Sequence, residues 1–251
     1  MEFFDLVNIS ERFIDLASPT TPDKIAVLGH YLRLQESSRV IDFACGSAEA
    51  LVLWAERFGI TGVGVEVREQ ACQWARDKIA QRGVRDRIEV LCGPAAEVPF
   101  EAQAFDAATC IGASFVFGGF RPAIRAMGRA LRPGGRLGIG EPYWKHAHVP
   151  PSYAAQESSV HSELELAQIA REEGYAFEYV IRASQDDWDR YEAGNWHGLV
   201  RWLEENPAHP ERGTVIEHLR KVQDEYLGYG REYVGWAIYV LAPQVRMVEG
   251  T

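Results

Sequence analysis

Between residues 38 and 142 the apolar positions of this chain alternate between two rhythms. The runs Val40 to Phe43, Val63 to Val65, Ile88 to Leu91 and Ala107 to Ile111 are apolar at consecutive positions, as in parallel strands covered on both faces. Leu51, Val52, Ala55 and Phe58 recur at helical spacing and stop at Gly59. Cys72, Ala75 and Ile79 mark a second helix over 69–82, and Ile124, Met127 and Leu131 a third over 121–131. Such alternation predicts a doubly wound α/β sheet whose ligands lie at the carboxyl ends of its strands. Residues 1–37 read as two helical pieces broken at Ser18-Pro19-Thr20-Thr21-Pro22, the second capped by Thr21 and carrying Ile25, Leu28 and Leu32 inward.

Beyond residue 142 the pattern changes. Ser162-Glu163-Leu164-Glu165 is a capping box for a helix ending at Gly174, and strands are expected near 175–183 and 233–241. Between these strands, residues 185–230 read as two helices. One carries Trp188, Tyr191, Trp196, Leu199 and Trp202 and stops before Pro207; the other spaces Val215, Leu219, Val222 and Tyr226. An insertion of this length suits a cap over an active site or an oligomer contact such as a homodimer. Nine of the ten tyrosines and five of the seven tryptophans lie after residue 142, which directs the search for a substrate pocket to Trp144, Trp188, Tyr191 and Trp196. The alternative is that these rings only pack the insertion onto the sheet.

The candidate chemistry begins at Val40-Ile41-Asp42-Phe43-Ala44-Cys45-Gly46-Ser47-Ala48-Glu49, a strand, a small-residue turn and a helix start. Free N–H groups at a helix start favour a nearby anionic group, and small residues let a ligand approach the backbone. A dinucleotide turn would need Gly-x-Gly-x-x-Gly, whereas here the small residues Ala44, Gly46 and Ala48 are spaced two apart. The stretch resembles motif I of the class I S-adenosylmethionine-dependent methyltransferases, acidic-x-Gly-x-Gly-x-Gly, with alanine at the first and third glycines. Further on, Gly62 to Val67 is an apolar strand ending in Glu66, and the stretches 88–100, 104–110 and 131–137 look like the family's motifs II, IV and VI in order.

The resemblance implies a Rossmann-like fold with an antiparallel last strand and a helical cap insertion. In domain terms it gives one methyltransferase domain over 1–251, with core segments 38–184 and 231–243 and the cap at 185–230. It implies S-adenosylmethionine as cofactor, held by Asp42, Ala44, Cys45, Gly46 and Ser47 at the turn, by Glu66 and Val67 at the ribose and adenine, and by Cys110 and Ile111 at the methionine. Ala95, Ala96 and Glu97 are the candidates in motif II, where Pro94 replaces the aspartate that many relatives turn to the adenine amino group. An N-terminal segment folds over the cofactor in many relatives, and Arg12 and Phe13 are its candidates here.

The phrases Gly112 to Phe120 and Gly140 to Trp144 resemble a bacterial small-molecule methyltransferase-like branch. The expected reaction is in-line displacement of the methyl group by a small-molecule nucleophile. Glu141, Tyr143 and His146 are the catalytic candidates, Glu141 serving as general base, as an orienting group, or only as a structural acid. Rival readings are a non-catalytic binder of the same cofactor, acting as sensor or scaffold, and a nicotinamide oxidoreductase.

Composition narrows the partners. With a formal charge of −10 the chain is poorly suited to a polyanion, so nucleic acid is not expected. No apolar run approaches the roughly 18 residues of a membrane helix, and no secretory signal opens the chain, so a cytoplasmic location is expected. The four cysteines, Cys45, Cys72, Cys92 and Cys110, show no Cys-x-x-Cys spacing and are read as reduced thiols with no metal.

Overall fold

The computed structural model of the chain describes residues 1–244. Helix α1 (Phe3–Glu11) is followed by α2 (Pro22–Tyr31), then β1 (Arg39–Phe43), α3 (Glu49–Phe58), β2 (Thr61–Glu66), α4 (Glu69–Gln81), β3 (Ile88–Cys92) and β4 (Phe105–Ile111). A 3-10 turn at Ser114–Phe117 leads to α5 (Phe120–Gly128) and β5 (Leu131–Trp144). Then come α6 (Pro151–Gln156), α7 (Glu163–Glu172), β6 (Tyr175–Arg182), α8 (Gln185–Glu205), α9 (Arg212–Glu225), a π turn at Tyr226–Gly230, α10 (Arg231–Tyr233) and β7 (Val234–Pro243).

The seven strands form one sheet in the order β3-β2-β1-β4-β5-β7-β6. Neighbours among β1 to β5 run parallel, whereas β7 is antiparallel to both β5 and β6. The fold is thus the doubly wound α/β sheet with an antiparallel last strand. Consecutive apolar residues on a strand serve opposite faces: Val40 joins a core with Leu28, Leu51 and Trp54, while Ile41 joins one with Ile124, Met127 and Leu166. Burial of these side chains from both layers is the main stabilising term for such a sheet.

Local signals explain the element ends. Thr21 accepts the Lys24 N–H at the start of α2 with Pro22 in the first turn, Gly59 ends α3 in the left-handed conformation, and Ser162 with Glu165 closes the capping box of α7. The short α6 and the π turn carry no sequence signal of that strength.

The expectation of four reduced thiols is corrected. Parallel pairing of β2 with β3 sets Glu66 opposite Cys92, and the first turns of α4 bring Cys72 back over that strand end. Cys72 and Cys92 form a disulfide with Cα atoms 6.1 Å apart, leaving Cys45 and Cys110 free. A sequence separation of 20 hid the pair. Among the described residues, no helix is long and apolar enough to cross a membrane, and no group of side chains could hold a metal ion.

Helix α1 crosses α8 at Gly198 so closely that a Cβ there would collide with the Ser10 carbonyl oxygen and lie 2.6 Å from that of Ile9. Gly198→Ala must push the two backbones apart, at a cost of about 1–3 kcal/mol. The expected outcome is a lower denaturation midpoint together with faster amide hydrogen exchange in α1 than in the sheet; unchanged exchange in α1 would show that this crossing does not hold it.

Candidate functional site

The face of the sheet turned to α2 and α3 carries the site. Asp42 on β1, Glu66 on β2, Thr109 and Ile111 on β4, Gly140 and Pro142 on β5 and Trp236 on β7 all fall on it by the two-residue period of their strands. Asp42 and Glu66 are both buried, at 3% and 4% exposure. The Thr109 hydroxyl donates to Asp42 Oδ1 at 2.6 Å, and burial nevertheless pushes the Asp42 carboxyl up to about 7.

The turn after β1 has an unusual backbone. Ala44, Gly46 and Ala48 have φ of 55°, 55° and 59°, so all three small positions are left-handed. Alanine tolerates this at a cost of roughly 1–2 kcal/mol, which explains the preference for glycine at these places. The arrangement is held from outside the turn: Gly46 N–H donates to Glu66 Oε2 at 3.0 Å, and Cys45 N–H to the Val65 carbonyl at 3.0 Å. A Cβ built on Gly46 meets nothing within 4 Å, so this side of the turn is open.

It opens into a cavity of about 310 Å³ walled by Asp42, Ala44, Cys45, Gly46, Ser47, Glu66, Val67 and Ile111. Eight of the twelve residues expected to hold the cofactor therefore share one cavity. Much of the remaining wall comes from the N-terminal segment, as the resemblance implied, but from residues other than Arg12 and Phe13. Phe3, Phe4, Val7 and Glu11 of α1 close one side, and Glu11 is tied down by Arg68, whose guanidinium donates to Glu11 at 2.7 Å and to Glu66 Oε1 at 3.1 Å. Arg12 and Phe13, expected there, turn away: Arg12 pairs with Glu205 at 2.8 Å and Phe13 is exposed beside His197.

Four other expected cofactor residues are not in this wall. Cys110 sits on the opposite face of β4, buried in the second core. Ala95 is buried in that core too, and Ala96 and Glu97 are exposed on the loop after β3.

A second cavity, of about 280 Å³, adjoins the first and shares Ala17, Ser18, Gly112 and Tyr191 with it. Trp188 and Tyr191 of α8 line it, so the start of the insertion does reach the sheet's ligand side. Trp196 does not line it and packs edge-on against Tyr226, ring centres 6.0 Å apart. Trp144 is likewise outside, edge-on to Tyr153 at 5.8 Å.

The three catalytic candidates are not brought to either cavity. Glu141 is opposite Ala237 on β5 and points to the second core, while its neighbour Pro142, opposite Trp236, faces the cavity. Strand parity is the reason: the odd positions 139, 141 and 143 share the wrong face. Tyr143 accordingly leans on the second core. His146 lies past the strand, exposed and 3.6 Å from Glu232.

These geometries can be set beside known proteins. A methyltransferase-domain family model matches residues 40–135. The uncharacterized protein YjhP of Escherichia coli is 33% identical over 246 residues, covering 96% of this chain and 99% of that one. The crystal structure of an S-adenosylmethionine-dependent methyltransferase from Geobacter sulfurreducens, in complex with S-adenosylhomocysteine, superposes with a TM-score of 0.89 at 34% identity, covering 96% of this chain and 98% of that one. This chain belongs to the S-adenosylmethionine-dependent methyltransferases. A second member, from Thiobacillus denitrificans and also in complex with S-adenosylhomocysteine, gives a TM-score of 0.89 at 32% identity, with 97% and 100% coverage.

Two buried carboxyls, Glu66 in the cavity wall and Glu141 on the other face of the sheet, can each be tested by substitution. Glu66→Ala removes the buried acceptor at the strand end, a charge-assisted interaction worth about 1.5–3 kcal/mol per bond. S-adenosylhomocysteine affinity, measured by calorimetry on folded variant, is expected to fall at least about tenfold; parent-like affinity would contradict the placement of Glu66.

Glu141 gives the second. Burial pushes its carboxyl up to about 7 from 4.5, the Ser114 hydroxyl opposing, and Oε1 is buried with no partner. The folded state therefore holds a proton that the unfolded chain releases, so this group makes stability fall as pH rises from about 4.5 to about 7. Glu141→Gln removes the penalty and should be more stable than the parent at pH 8 by up to about 3 kcal/mol, the advantage vanishing towards pH 5. Denaturant melts at the two pH values check the sign.

Proposed function

We propose that this methyltransferase transfers the methyl group of S-adenosylmethionine, by in-line displacement, to a small molecule held in the cavity between α8, the π turn and the sheet. The observation that carries the reading is the adjacency of the two cavities: the first presents motif I and Glu66, and the second joins it at Gly112 and Tyr191. The cofactor, when bound, supplies a methyl group made electrophilic by its sulfonium.

The residues present fit that cofactor. Glu66 and the open side of Gly46 suit the ribose and the chain leading to the sulfur, and Val67 offers an apolar surface beside them. The buried Asp42 carboxyl closes the floor of the turn. Helix α1 and Phe115 contribute apolar cover that limits water at the reacting centre. Orientation of the acceptor then falls to the aromatic walls of the second cavity, and alignment of two bound reactants is itself a large part of such catalysis.

No Lys or Arg other than Arg68 lines either cavity, and Arg68 is committed to Glu11 and Glu66. That supports a small-molecule acceptor rather than nucleic acid, whose phosphates need unpaired cations.

Calorimetry should show S-adenosylhomocysteine binding with a dissociation constant on the order of micromolar and no heat from NAD, and methyl-labelled cofactor incubated with a metabolite extract should label a small-molecule fraction. Label recovered only in nucleic acid or protein would overturn the acceptor class, and heat from NAD alone would overturn the cofactor.

A further inference from the structure

The second cavity has a composition that its role as acceptor site leaves unexplained. Five aromatic residues, Tyr153, Trp188, Tyr191, Tyr226 and Trp236, form its walls, and three carboxylates, Glu157, Glu192 and Glu225, open into it. No lysine, arginine or histidine is among its lining residues. Nearby cations are engaged elsewhere: Arg231 pairs with Asp189 at 2.9 Å, and Lys24 and Arg190 both pair with Asp187.

The walls are fixed before any ligand arrives. Tyr226 donates its hydroxyl to Asp189 Oδ1 at 2.7 Å, and its ring lies nearly parallel to Trp188, 9° between planes. Tyr153 donates to Glu225 and stacks on Tyr229 at 4.8 Å. The Trp188 indole N–H is buried without a partner. Burial, with the charge of Glu225 added, pushes the Glu192 carboxyl up to about 7. A carboxylate in this position is stabilised by a cation, and aromatic faces attract the same charge.

Resting on the methyltransferase reading of the adjoining cavity, we propose that this cavity recognises a small organic ammonium, its cationic nitrogen held among Glu192, Glu225 and the faces of Trp188 and Tyr226. An anionic acceptor would meet three carboxylates and no counter-charge. A neutral acceptor would leave the half-buried Glu192, which lacks a basic partner, without a counter-charge.

The test uses the full chain and calorimetry in two stages. S-adenosylhomocysteine is titrated first; if it fails to bind, the methyltransferase reading of the first cavity falls, and this proposal with it. With that ligand bound, choline and benzyltrimethylammonium are compared with 3,3-dimethylbutan-1-ol, in which carbon replaces the quaternary nitrogen of choline. Both cations are expected to bind at least about tenfold more tightly than the alcohol. Glu192→Gln and Glu225→Gln should each erase most of that preference while leaving S-adenosylhomocysteine affinity unchanged, which also reports that the variants fold. If the alcohol binds as tightly as the cations, if neither cation binds while S-adenosylhomocysteine does, or if both variants keep the full preference, the ammonium site is overturned.

Discussion

A carboxylate buried at the end of a parallel strand is the constraint on which this site depends. Glu66 is 4% exposed, and an isolated charge at that depth would be strongly unfavourable. Its partners show how the cost is offset: Gly46 N–H reaches one oxygen, and the backbone N–H and guanidinium of Arg68 reach the other. The first of these bonds holds the left-handed turn of motif I open toward the cavity. The Arg68 guanidinium also reaches Glu11, so that helix α1 is docked by an ion pair rooted at the acid that ends β2. Without Arg68, Glu11 and Glu66 would face each other as like charges, and both the turn and its covering helix would lose their anchor. Close packing at Gly198 completes the dock from the other side.

Side-chain parity decides which residues near a strand end belong to the site. Asp42, Glu66, Ile111 and Pro142 come from four strands, yet all point to one face because parallel neighbours share register. The residue immediately before each of them points to the opposite face. Cys110 and Glu141 are such neighbours, adjacent to cavity-lining residues along the chain and separated from them by the thickness of the sheet. Being at the carboxyl end of a strand is therefore not sufficient to face either cavity.

That distinction marks how much was legible in the sequence. The sheet, its helices and the cofactor turn rest on local signals: apolar runs, helical spacing, Thr21 and Ser162 as caps, and small residues at 44, 46 and 48. Each of these acts within a few residues, so a linear reading can find it. Contacts made across the fold leave weaker traces. Phe3 and Phe4 gain meaning only once α1 is laid over motif I, and the Cys72–Cys92 disulfide only once β2 and β3 are paired. Of the four aromatic residues singled out after residue 142, Trp188 and Tyr191 line the second cavity while Trp144 and Trp196 pack against Tyr153 and Tyr226 of its walls. Hydrophobic spacing cannot separate a ring that faces a ligand from one that backs it.

The carboxylates of the second cavity could not be assembled from sequence at all, since Glu157, Glu192 and Glu225 follow α6, lie within α8 and end α9. Their convergence is a product of the insertion folding back over β5 and β7, and it gives the cavity a charge that its aromatic content alone would not reveal. Helices α8 and α9 contribute Glu192 and Glu225 to this concave surface, where no lysine, arginine or histidine lines the wall beside them. A chain with ten more acidic than basic charges overall could place carboxylates anywhere on its exterior at little cost. Placing Glu192 and Glu225 beside a half-buried aromatic cavity, next to the cofactor turn, desolvates both carboxyls, a cost that a proton or a bound cation offsets. On the ammonium proposal the acceptor's charge would follow the same electrostatic rule that fixes Glu66: a desolvated carboxylate persists where the fold, or a ligand, brings it a partner.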